Sequence, residues 1–271
     1  MDYGYQLLRH VFAQVFGNLP QAARITLVLL AAPMVVVFVT NPGLLDGTAF
    51  HFNPDTGTTD FSSLQPLGAL LTVIVGLISW LWAAVAWHRY VLLEEYPNGL
   101  LPRWRGSNIA NYFGNALLIL LVMIAVALLG GIVVGIFVAV LQSPAIIVAL
   151  GIGLIIGVSW MATRVGLVLP AAAIGERLTL RESWAATAPV SGQIILPIIV
   201  IALVTTILNQ GIVAVFGTSV DVMTPIGQQQ QVTLSAIGVV LSVAVGWAQM
   251  LVNLALMTTL YGNLIEGRQL N

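Results

Sequence analysis

The sequence predicts an all-helical, polytopic membrane protein, and three observations carry that reading. Six apolar runs are each long enough to cross a hydrocarbon core of about 30 Å at ~1.5 Å of rise per residue. Only 7% of the 271 residues are charged and 59% are hydrophobic, whereas soluble domains carry about 25% charged residues. The nine basic residues, all arginine, fall only at the termini and in alternate connections. Cysteine is absent, which excludes disulfides, zinc–thiolate sites and thiol catalysis. A formal net charge of −1 selects no nucleic-acid partner.

Residues 1–20 form a first unit. Leu8, Val11, Phe12, Val15, Phe16 and Leu19 recur at the spacing of one helical face, with Tyr3, Gln6, Arg9, His10 and Gln14 largely elsewhere. An apolar stripe rich in Phe beside a weakly basic face predicts a helix lying in the membrane plane. Residues 21–271 are the transmembrane domain. Its first span runs over about 25–40. It does not read as a cleavable signal peptide, because the region before it is long and no small-x-small site precedes Asn41-Pro42-Gly43. Residues 41–66, with Asp46, Asp55 and Asp60 among Gly, Pro and Thr, read as an exposed loop.

The second span covers about 67–87, with Trp80, Trp82, Trp87 and Tyr90 as an aromatic belt at its edge. Spans three and four, about 112–141 and 144–168, are joined only by Gln142, Ser143 and Pro144, and Ser143-Pro144 reads as N-cap then first helical position. Each carries a ladder of small residues at four-residue steps: Ala127, Gly131, Gly135 and Ala139 in one, Ala145, Ala149, Gly153 and Gly157 in the other. In lipid, such stripes let helix backbones approach closely. Folded back on each other, the two ladders would set Gly135 against Ala149 and Gly131 against Gly153. Thr179-x-x-Glu182 is a capping-box pattern opening a short helix. Span five, about 190–216, contains Pro197, which predicts a kink. A polar loop over 217–232 leads to span six, about 233–262. The six spans read as three successive hairpins.

Orientation follows from the arginines. They sit at the N-terminus, between spans two and three, between spans four and five, and in the tail, while the other connections carry Asp46, Asp55, Asp60 and Asp221 and no basic residue. By the positive-inside rule both termini are cytoplasmic, in a bacterial inner membrane.

Chemistry is sparse. Arg164 follows some nineteen apolar or small residues, at a depth where its side chain would snorkel to the headgroups. His88 with Glu94 and Glu95 is the densest polar text, yet it meets no metal-ligand spacing. His88 and Arg89 read as interface anchors, with Glu94 or Glu95 paired to Arg103 or Arg105. Arg89, Arg103, Arg105, Arg164, Arg177 and Arg181 together could form a surface for anionic lipid headgroups. No phosphate-binding loop, G-x-S-x-G elbow or catalytic Cys is present, so the residues name no catalytic site and no cofactor.

The string Arg164-Val165-Gly166-Leu167-Val168-Leu169-Pro170 closes the fourth span, and Glu176 and Ser183-Trp184 follow it. With the amphipathic start and the polar loop after span one, it resembles a loosely defined group of six-helix bacterial inner-membrane proteins. That group is related to the membrane domain found beside glycerophosphodiester phosphodiesterases. The resemblance implies the fold. With no phosphodiesterase domain in this chain it implies no such activity, and it transfers no catalytic residues. The expectation is therefore a non-enzymatic accessory, assembly or scaffold component that packs against membrane lipids and a membrane-protein partner or a second copy of itself. The alternative is a small transporter or lipid-handling permease, with Asn111, Asn115, Gln193, Asn209, Gln210, Gln249 and Asn253 along an uncharged path.

Overall fold

The structure is a computed structural model that describes residues 3–43, 51–53, 58–60, 64–141, 143–224 and 227–270. The chain forms α1 (Tyr3–Phe16), α2 (Leu19–Thr40), β1 (His51–Asn53), β2 (Thr58–Asp60), α3 (Pro66–Leu93), α4 (Gly106–Leu141) and α5 (Pro144–Val165). It continues through α6 (Val168–Ile174), α7 (Leu180–Ala186), α8 (Ile195–Phe216), β3 (Gly217–Thr224), β4 (Gly227–Leu234) and α9 (Ala236–Leu264). Six of its helical segments are long and apolar enough to cross a membrane. The fold is all-α and polytopic, as the sequence predicts.

Helix α2 pairs with α3, α4 with α5, and α8 with α9, giving three hairpins. At the first, the Asn41 side chain closes the intervening loop: its Oδ1 accepts from the Gln65 N–H at 2.7 Å and its amide donates to the Gln65 carbonyl at 3.2 Å. Asp46 and Asp55 lie outside the described residues, and of His51 and Asp60 only the backbone is described, paired across β1 and β2. The 217–232 stretch is not a plain loop. It is part of an antiparallel hairpin in register from Gly217↔Leu234 to Thr224↔Gly227. Alternating Thr218, Val220 and Val222 favour a strand, and the Thr218 and Thr233 hydroxyls meet at 3.1 Å.

The helix starts follow local chemistry. Thr179 and Glu182 make the full capping box, with Glu182 N–H donating to Thr179 Oγ1 at 3.2 Å and Thr179 N–H to Glu182 Oε2 at 2.8 Å. The bonds that Thr179 donates hold the Glu182 carboxyl below its ordinary pKa. Ser143 occupies the N-cap position of α5 without a side-chain bond. Pro197 falls in the first turn of α8, where its missing N–H would have no partner in any case, so the expected kink is absent.

The core is concentrated at one end, hereafter the base, where both ends of the chain lie. Buried residues run from Ala22 to Leu29 in α2, from Ser79 to Leu92 in α3 and from Leu251 to Gly262 in α9. Short helix α6 plugs the base and touches α3, α4 and α9; its N-cap Leu167 and its Val168, Ala171 and Ala173 are at most 1% exposed. Its run of alanines lets three helices close around it. The opposite ends are bare: Val39, Leu67, Val140 and Val215 are all more than two-thirds exposed.

Helix α1 docks beneath this base. Gly4, Leu7, Val11 and Val15 are its buried face, against α8 and α9, while Phe16 and Leu19 stay exposed. The apolar stripe is thus divided between protein and surroundings, where the sequence assigned all of it to the bilayer.

The small-residue ladders are placed differently from expectation. A Cβ added at Gly131, Gly135, Gly153 or Gly157 would meet nothing within 4 Å. Ala139, Ala145 and Ala149 are exposed and Ala127 is partly buried. The α4 stripe turned toward α5 is one residue earlier, Val126, Gly130, Val134 and Val138, all partly buried, with Gly130 receiving the Leu154 side chain. A one-residue offset turns a helix by about 100° at 3.6 residues per turn. Seating a leucine over a glycine gains more dispersion contact than setting two bare backbones together, so the pairing of Gly135 with Ala149 does not form within the chain.

Candidate functional site: a polar lock at the base

His88 is fully buried and links all three hairpins. Its Nδ1 lies 2.7 Å from Thr258 Oγ1 on α9, and its Nε2 lies 3.4 Å from the Tyr112 hydroxyl on α4. The Thr258 hydroxyl spends its own proton on the Leu254 carbonyl at 2.6 Å. Thr258 therefore accepts from Nδ1–H, and Nε2 faces the Tyr112 hydroxyl. The chain of bonds on the Thr258 side ends on the Leu254 backbone carbonyl. Thr258 also lines a cavity of about 180 Å³ with His10, Gln14, Asn263 and Arg268. His88 is thus a core residue and not an interface anchor. Leu81, Ala84, Val85 and Leu92 are buried with it. In a run apolar at every position from Trp80 to Trp87, no stripe in the sequence marked His88 as buried, and none showed that Tyr112 and Thr258 meet it.

Next to the lock, Arg89 donates from Nε and Nη2 to Glu95 Oε2 at 2.8 and 2.5 Å, and from Nη1 to the Ala173 carbonyl at 3.1 Å. Arg105 reaches Glu95 Oε1 at 3.1 Å. Asn108 donates to the same Ala173 carbonyl at 2.9 Å. One cation, Arg89, and one amide, Asn108, so fasten the C-terminal end of α6, where free carbonyls concentrate negative charge. Partial burial raises the Glu95 carboxyl, but bonds and charge from Arg89 and Arg105 outweigh it and hold the pKa below its ordinary value. The expected Glu95–Arg105 pair is present, and Arg89 joins it instead of facing the headgroups. The Glu94 backbone turns left-handed as the α3 C-cap.

Arg164 does not snorkel. It is 5% exposed, and its guanidinium carbon lies 3.5 Å from the Trp184 ring centroid and 5.0 Å from that of Trp160. Nε bonds Thr187 Oγ1 at 3.2 Å and Nη2 bonds the Trp184 carbonyl at 2.8 Å, while its own carbonyl accepts from Ser183 Oγ at 2.7 Å. Aromatic faces and carbonyls here replace hydration, which lets a desolvated cation serve as a clamp for α7.

Of the six arginines expected on a headgroup surface, Arg103, Arg177 and Arg181 are exposed, whereas Arg89, Arg105 and Arg164 are engaged in the base. The amides suggested as a path do not converge. Asn115 and Asn209 bond carbonyls one turn back on their own helices; Asn111, Gln193, Gln210 and Asn253 are exposed; Gln249 is partly buried between α8 and α9. Among the described residues no three His, Asp or Glu side chains gather as metal ligands. No protein-family model, curated protein or solved structure matches the chain.

Proposed function

We propose that this multi-pass membrane protein is a non-enzymatic component of a bacterial inner membrane whose α4–α5 hairpin packs against a partner membrane protein or a second copy of the chain. One observation carries the reading: the small-residue stripes of α4 and α5 face outward, and Gly131, Gly135 and Gly153 are bare to their surroundings. Small-residue stripes are the surfaces on which helices associate in lipid, and among the described residues nothing lies within 4 Å of a Cβ added at these glycines. The His88 and Arg164 assemblies support the same reading, because their polar groups are spent on holding helices together. By the positive-inside rule the base and both termini face the cytoplasm. Exposed Arg103, Arg177 and Arg181 then meet anionic headgroups, each contributing up to ~1 kcal/mol.

The test is a native mass spectrum of the protein extracted from its own membrane in mild detergent. A stoichiometric partner or a homo-oligomer is expected, and it should be lost in the G131L/G135L/G153L variant, whose monomer keeps its thermal midpoint. A bare monomer retaining only lipid overturns the reading. A reporter fused to the C-terminus should read out as cytoplasmic, and a periplasmic readout overturns the orientation.

A further inference from the structure

A groove runs up the side of the bundle between α8 and α9, starting where Phe12 and Phe16 of α1 cross beneath it. The two rings stack at 5.9 Å between centroids. The walls extend from Ile201 to Ile212 on α8 and from Val252 back to Leu241 on α9, and Ala244 and Ala248 form part of the α9 wall. The Thr205 hydroxyl is spent on the Ile201 carbonyl at 2.8 Å, which leaves the Gln249 amide as the polar group along the groove.

The dimensions select the occupant. Eleven helical steps at ~1.5 Å make the groove about 16 Å long, half of a hydrocarbon core of about 30 Å. Its volume is about 410 Å³; divided by that length this gives a mean cross-section of roughly 25 Å², when a helix at least ~10 Å across needs about three times as much. The groove is too narrow to enclose a helix, whereas one extended hydrocarbon chain fits within it. The mouth lies at α1, whose remaining exposed apolar residues are suited to the headgroup boundary.

We infer that this groove holds one acyl chain of a membrane phospholipid from the leaflet on the side of the termini, with Phe12 and Phe16 of α1 beside its mouth. The site is separate from the glycine-bearing faces of α4 and α5, so it stands whether or not a partner protein packs there.

The experiment uses the full-length protein in lipid nanodiscs containing a phospholipid with a photoactivatable diazirine in one acyl chain. After irradiation and digestion, adducts are mapped by mass spectrometry. Adducts on the 201–212 and 241–252 segments should exceed, several-fold, those on the exposed apolar 67–77 face of α3, which lies on neither the groove nor the α4–α5 hairpin. The A244L/A248F variant, which fills the groove, should lower the first set and leave the second unchanged. Uniform labelling of all exposed apolar faces overturns the inference, as does a variant that folds and labels like the original. So does a groove left unlabelled because a co-purified protein covers it. The adduct map of the unaltered protein decides the matter even where the variant does not fold.

Discussion

His88 and Thr258 stand 170 residues apart in the chain and 2.7 Å apart in the fold, with the imidazole Nδ1–H donating to a hydroxyl whose proton is committed elsewhere. Thr258→Val keeps the volume and removes the acceptor, leaving a buried N–H without a partner at a cost of about 1–3 kcal/mol. Tyr112→Phe, at the longer 3.4 Å contact, should cost less. Thermal unfolding in detergent would rank the two, and equal midpoints for T258V and the original would contradict the lock.

Arg164 clamps α7 through the Trp184 indole face and two hydrogen bonds, and lies also over Trp160 of its own helix. Arg164→Leu should lower stability by about 2 kcal/mol or more, the scale of a desolvated cation–π contact, and expose the 175–194 segment to protease. Arg164→Lys keeps the charge but lacks the planar fork and should fall between. A snorkelling arginine would show no loss in either variant.

Glu95 supplies a dependence on acid. Its folded-state pKa lies below the ordinary carboxylate value, so the stabilisation is present above about pH 4.3 and is lost as pH falls through the lower folded value. Glu95→Gln should destabilise the protein at pH 7 by about 1–3 kcal/mol, since Arg89 and Arg105 lose their shared anion, and so lower the thermal midpoint. The difference between the variant and the original should shrink below about pH 4. A gap that persists unchanged at low pH would show that the carboxylate charge is not responsible.

Gly4 lets α1 close on the bundle, because a Cβ there would lie 2.6 Å from the Gln193 backbone carbonyl. A backbone atom cannot yield as a side-chain tip can, so Gly4→Val should undock α1 at a cost of about 1–3 kcal/mol. The Tyr3 phenol, which burial pushes up to about 12 and which donates to Asn263 Oδ1 at 2.8 Å, would then return toward its ordinary pKa. Hydrogen exchange over residues 3–16 would report the release, and unaltered protection would refute the close approach.

How much of this was legible in the sequence follows the range of the interactions. Hydropathy and the bilayer's thickness set six spans, because each segment meets the lipid on its own account. The Thr179–Glu182 box was readable because its partners are three residues apart, and Glu95–Arg105 because one short connection contains both. The rotation of each helix was not readable. Gly131 and Gly130 differ by one residue and about 100°, and whether lipid or Leu154 faces the helix depends on contacts that composition does not record. His88 looked like an interface anchor at the end of an apolar run, and its role as a buried link was decided by Tyr112 and Thr258 arriving from two other hairpins. Arg164 looked like a cation at headgroup depth, and became a buried clamp only because α7 folds back to lay Trp184 and Thr187 against it. The sequence by itself determined which segments are long and apolar enough to cross a membrane, since that rests on local partition energies. Only the tertiary structure decided which polar groups are buried together, because desolvation is offset only by specific partners brought from distant parts of the chain.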